Sequence, residues 1–101
     1  MQLKDHLKNY AIDAYRYYAI HGDCFSEAGA TDDIIAVKQA FGEMKPICRR
    51  AVELVYFPDS RDIKNNIRIA EIEINVNRKQ LHNLLNSARR LFATKRGLRI
   101  C

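Results

Sequence analysis

The 101 residues include 48% hydrophobic and 29% charged side chains, a balance that suits one compact domain with a small core and leaves little room for a second. No apolar run approaches the roughly 20 residues that a membrane helix requires, and the N-terminal MQLKDHLKNY has no apolar secretory segment. A cytoplasmic protein without a membrane partner is therefore expected. The net charge of +5 is unevenly placed: residues 1–60 hold 7 Lys/Arg and 9 Asp/Glu, while residues 61–101 hold 10 and 3. That asymmetry points to a polyanionic partner, nucleic acid or an anionic surface, with a solvated basic face as the plain alternative.

Glycine and proline are scarce, at four and two residues, which favours helices. Residues 3–20 place Leu3, Leu7, Tyr10, Ala11, Ala14, Tyr17 and Tyr18 at helical spacing, so a first helix is expected to end before Gly22. The tyrosines at 10, 15, 17 and 18 suit core packing and interface contact better than a platform for stacked bases, because few cations accompany them. Residues 21–30 read as a loop. A second helix is predicted from Thr31, an N-cap followed by Asp32 and Asp33 at the positive end of the dipole, and Gly42 ends it. Pro46 suits the first turn of a third helix, which carries Ile47, Ala51, Val52, Leu54, Val55 and Tyr56 and stops at Phe57-Pro58.

Asp59 or Ser60 is expected to cap a fourth helix with apolar Ile63, Ile67 and Ala70, flanked by Ile69 and Ile72. Ile72, Ile74 and Val76 alternate with polar residues. A strand has that period, but between two helical patterns a tight turn plugged by apolar side chains is the better reading. Asn77 then caps a fifth helix from Arg78 to about Lys95, closed by Gly97, with Leu81, Leu84, Leu85, Ala88, Leu91 and Phe92 on one face.

The sequence thus predicts an all-α domain of about five helices, ending in a helix-turn-helix over residues 60–96. In such a unit a small residue, Ala70, lets the first helix approach its partner, and Ile74 with Val76 fills the turn. The outer face of the second helix carries the chemistry. Arg78, Lys79, Gln80, His82 and Asn83 lie near its start and are the expected base readers, since Arg and Lys suit guanine O6/N7 and Asn and Gln suit adenine N6/N7. Asn86, Arg89, Arg90, Lys95 and Arg96 are the expected phosphate contacts. No Asp or Glu follows Glu73, so no carboxylate on this helix would repel a phosphate.

The stretch from Phe41 to Thr94 resembles region 4 of bacterial sigma factors. The resemblance rests on Arg50-Ala51-Val52-Glu53-Leu54-Val55-Tyr56-Phe57, then Ile69-Ala70-Glu71-Ile72, then Leu85-Asn86-Ser87-Ala88-Arg89-Arg90-Leu91. It covers roughly half the chain and divides it into an N-terminal helical extension, 1–40, and a region 4-like unit, 41–96. The family has glycine in the turn, where this chain has Ile74-Asn75 and one more residue; Asn75 can take the left-handed conformation that glycine would supply. The separate domain with which sigma factors melt promoter DNA has no counterpart in these residues. The resemblance therefore implies a transcription regulator of the phage and mobile-element kind, such as a late-gene activator or antiterminator, which binds double-stranded DNA and touches RNA polymerase. A homodimer through the first helix is a further expectation. Two other readings remain open: a DNA-recognition subunit of a packaging or recombination complex, similar to a small terminase, and an adaptor that binds polymerase through its Tyr-rich half.

Catalysis is not expected. There is no phosphate loop, HExxH or Gly-x-Ser-x-Gly, and Asp32-Asp33 is explained by a helix start. Cys24, Cys48 and Cys101 are too few and too scattered for a disulfide framework, and His6, His21 and His82 are equally dispersed, so no metal or cofactor is expected.

Overall fold

The computed structural model describes residues 4–21, 28–58 and 62–98, the side chains of 28–31 excepted. These residues form five helices: α1 (Asp5–His21), α2 (Ala28–Glu43), α3 (Pro46–Tyr56), α4 (Ile63–Glu73) and α5 (Arg78–Arg96). No strand occurs among them. No described helix is long and apolar enough to cross a membrane.

Three boundaries differ from the sequence reading. Helix α2 starts at Ala28, so Thr31 lies within the helix and is not its cap. The two alanines of Ala28-Gly29-Ala30 carry the helix backward through the glycine, since alanine is the best helix former. Gly42 does not end α2, which continues to Glu43. What stops it is Pro46: Lys45 is extended at φ −65° and ψ 150°, as a residue before proline prefers. The predicted caps Asp59 and Ser60 lie outside the described residues, and Asp62 caps α4, its carboxylate accepting from the Asn65 N–H at 3.1 Å.

The α4–α5 connection follows local rules. Asn75 has φ 54°, the left-handed region, and the Val76 N–H reaches back to the Glu71 carbonyl at 3.2 Å. Asparagine tolerates this conformation better than most residues, so it acts where glycine is usual. Ile74 and Val76 pack against the core as the predicted plug, whereas Ile72 is 79% exposed. Asn77 then caps α5 with a reciprocal box: its side chain accepts from the Gln80 N–H at 2.8 Å, and the Gln80 side chain accepts from the Asn77 N–H at 2.9 Å. At the far end Gly97, at φ 79°, ends α5 with two back-bonds, Gly97 N–H to Thr94 and Leu98 N–H to Ala93. This is the Schellman pattern, and Leu98 packs back onto the core.

The core is organised around α5. Helices α1, α2, α3 and α4 all pack on it. Its Leu81, Leu85, Ala88 and Phe92 are buried against Val52 and Val55 of α3, Val37 of α2 and Tyr15 of α1. Tyr15 is fully buried, and its ring lies 5.7 Å from Phe41, 6.1 Å from Tyr56 and 5.9 Å from Phe92. Tyr10, Tyr15 and Tyr18 therefore serve packing, with α1 and α2 as structural walls of the same core. Ala70 is fully buried, as a close approach of α4 requires.

Candidate nucleic-acid interface

Helix α5 has one buried and one exposed side. Residues 81, 85, 88, 89, 92 and 93 are buried, and Lys79, Asn83, Ser87, Arg90 and Thr94 are exposed. At 100° per residue, Lys79, Asn83 and Arg90 fall on one stripe, and at 1.5 Å per residue it is about 16 Å long. None of the three has a partner among the described residues. The helix has no carboxylate.

The ten predicted contact residues separate into distinct environments. Lys79, His82, Asn83 and Arg90 are exposed and have no partner among the described residues. Arg78 is exposed, but its Nε donates to Glu71 of α4 at 2.9 Å, which ties the start of α5 to α4. Gln80 is held in the capping box. Asn86 is half-buried, and its Oδ1 is covered with no donor among the described residues.

The remaining three point elsewhere. Arg89 is only 7% exposed and donates to the Tyr56 hydroxyl at 2.8 Å, so it is not on the outer face. It sits only 20° along the helical wheel from exposed Arg78, but three turns further along the helix, where α1 and α3 cover it. Lys95 pairs with Glu43, and Arg96 donates to Asp33 at 2.7 Å, both carboxylates belonging to α2. Asp33 also accepts from the Tyr10 hydroxyl at 2.7 Å, joining α1, α2 and α5 at one carboxylate. Burial, then the hydrogen bond to Asp33, raises the Tyr10 pKa and keeps that donor protonated. Lys95 and Arg96 are thus committed to holding α2 in place.

Two cations absent from the sequence reading join the exposed face. Lys64 and Arg68 of α4 line a depression of about 360 Å³ with Ile67, Arg78 and His82. Their i, i+4 spacing on the polar side of α4 is the signal that would have found them. The exposed groups are thus the Lys79 ammonium, the Asn83 amide and the Arg90 guanidinium along α5, and the Lys64, Arg68 and Arg78 cations around the depression. Such a set can bond base edges and phosphate oxygens together.

Among the described residues, no group of three or more His, Cys, Asp or Glu is placed to hold a metal ion. Cys48 is buried, donates to the Leu84 carbonyl at 3.3 Å, and has a thiol pKa raised by burial. No protein-family model matches the chain, and neither does a curated protein or a solved structure.

Proposed function

We propose that α4 and α5 form a helix-turn-helix and that the protein is a sequence-specific, double-stranded DNA-binding transcription regulator of the phage or prophage kind. The observation that carries this reading is the carboxylate-free outer stripe of α5, Lys79, Asn83 and Arg90, on a helix whose other side is fixed by the rest of the molecule. In this reading α5 enters the major groove by its N-terminal half. Lys79 and Asn83 contact base edges with His82 beside them, while Arg90, Lys64 and Arg68 contact phosphates. Arg78 keeps its tie to Glu71 and turns its free guanidinium nitrogens toward the backbone.

Contact with RNA polymerase is the second part of the proposal. It is supported by Ile69 and Ile72, which lie three residues apart on α4 and are 43% and 79% exposed. Apolar side chains so placed beside a DNA-facing helix suit a protein partner.

Selection of bound duplexes from a random pool tests the DNA reading, followed by titration of the enriched site at several salt concentrations. An enriched motif is expected, with log affinity falling linearly against log salt. Failure to enrich any motif, together with salt-insensitive binding, would overturn the reading.

A further inference from the structure

A cleft between α1, α3, α4 and α5, with a volume of about 550 Å³, adjoins the surface described above and shares Ile67 and His82 with it. Its apolar lining comes from Ile12 of α1, Ile63 and Ile67 of α4 and Leu85 of α5. Lys8, Arg16 and Arg89 also line it, with His82 on the α5 side and the Asp13 carboxylate on α1.

Arg89 is the informative member. It is 7% exposed, yet its hydrogen-bond partner among the described residues is a neutral one, the Tyr56 hydroxyl. Its Nε has no acceptor there. No carboxylate among the described residues pairs with it, and Asp13 pairs with none of the three cations of the cleft. A buried charge is ordinarily compensated by a counter-charge, because removing it from water is costly. Tyr56 is a second incomplete group. Its oxygen accepts from Arg89, and its own proton has no acceptor among the described residues. Burial raises the Tyr56 pKa and keeps that proton in place, although Arg89 and Arg16 pull the other way.

We propose that this cleft binds a small organic anion. An oxyanion head, carboxylate or phosphate, lies toward Arg89 and Tyr56, with Arg16 and Lys8 at the mouth, and an apolar body lies against Ile12, Ile63, Ile67 and Leu85. The cation excess selects a negative head, and the apolar lining selects an organic ion over inorganic phosphate. The volume is that of a site for a small organic ligand. The site does not depend on α5 meeting DNA.

Isothermal titration of the full chain at low salt tests this with four probes: 1-naphthoate, 1-naphthyl phosphate, neutral 1-naphthalenemethanol and inorganic phosphate. One-site binding of at least one naphthyl anion is expected, at least tenfold tighter than the alcohol and inorganic phosphate; comparison of the two anions identifies the preferred head. Arg89→Met should weaken it at least tenfold. Because Arg89 is buried, Arg16→Gln is the second variant, expected to weaken binding three- to tenfold with an unchanged circular dichroism spectrum. Arg50→Gln, a surface cation of α3 that does not line the cleft, should leave the affinity unchanged. The proposal is overturned if no naphthyl anion binds, if the alcohol binds as tightly as the anions, or if neither Arg89→Met nor Arg16→Gln weakens binding.

Discussion

The Tyr15 hydroxyl of α1 donates to the Ala88 carbonyl of α5 at 2.6 Å, joining residues 73 apart in the sequence. The ring that carries this hydroxyl is fully buried among Phe41, Tyr56 and Phe92. One side chain therefore supplies aromatic packing to α2, α3 and α5 and a polar tie to the α5 backbone. Tyr15→Phe should keep the packing and lose the tie, at a cost of about 1 kcal/mol. Tyr15→Ala should cost about 3–5 kcal/mol, because the surrounding rings cannot close the space. Thermal unfolding followed by circular dichroism separates them. Each kcal/mol lowers Tm by about 4–8 °C in a domain near this size.

High pH should unfold the protein through its buried phenols. Burial raises the pKa of both Tyr15 and Tyr56, with the cations beside Tyr56 opposing the shift. The sign is fixed by linkage. Both groups stay protonated in the native state and ionise in the unfolded chain near pH 10. The stability they confer is full below about pH 10 and falls above it, by about 1.4 kcal/mol per pH unit for each group. Tyrosinate absorbance should rise in step with loss of helical signal, and Tyr15→Phe should make the alkaline transition less steep. Ionisation of these phenols well before helix loss would contradict their burial.

The α4–α5 turn permits a test of backbone chemistry. Asn75 sits at φ 54°, so Asn75→Gly should leave stability within about 0.5 kcal/mol, while Asn75→Val should cost about 1–2 kcal/mol. Asn77→Ala removes the capping box and should cost about 1 kcal/mol. Chemical denaturation of the three variants, with unchanged slope, is the check.

The polar residues of α5 should divide into two functional groups. On the selected duplex, Lys79→Ala and Asn83→Ala should each remove a hydrogen-bonded base reader and weaken binding by about 1–3 kcal/mol. Arg90→Ala should reduce the slope of log affinity against log salt by about 0.9. Arg96→Ala should instead lower stability, with a coupling of about 0.5–1 kcal/mol to Asp33 in a double-mutant cycle, and affect DNA affinity less than Lys79→Ala does. A larger DNA defect from Arg96→Ala would place that guanidinium on the nucleic acid and not on α2.

The contrast between Lys79 and Arg96 shows what the amino-acid order discloses. Asn77 as a cap, Asn75 as a left-handed residue, Ala70 as a point of close approach and Ile74 with Val76 as a plug all follow from rules that act within a few residues. Helical periodicity also separates Leu81, Leu85 and Ala88 from Lys79 and Asn83. The fates of Arg89, Lys95 and Arg96 depend on which distant helix covers each side of α5, and periodicity carries no such information. Tyr56, Glu43 and Asp33 answer that question only once α2 and α3 are in place. The start of α2 escapes a local rule for a different reason: Thr31-Asp32-Asp33 has the chemistry of a cap, but the alanines before it extend the helix.

Every other helix packs on α5, the helix whose outer stripe we propose as the DNA-facing surface. A segment in that position has no low-energy route to open by itself, so its inner amide hydrogens, those of Leu85, Ala88 and Phe92, should exchange only when the whole molecule unfolds. The presenting surface is then as rigid as the protein is stable. Adjustment at a DNA site would fall to side chains and to the duplex, and a fragment limited to residues 62–98 would lack the neighbours that give its helix a shape.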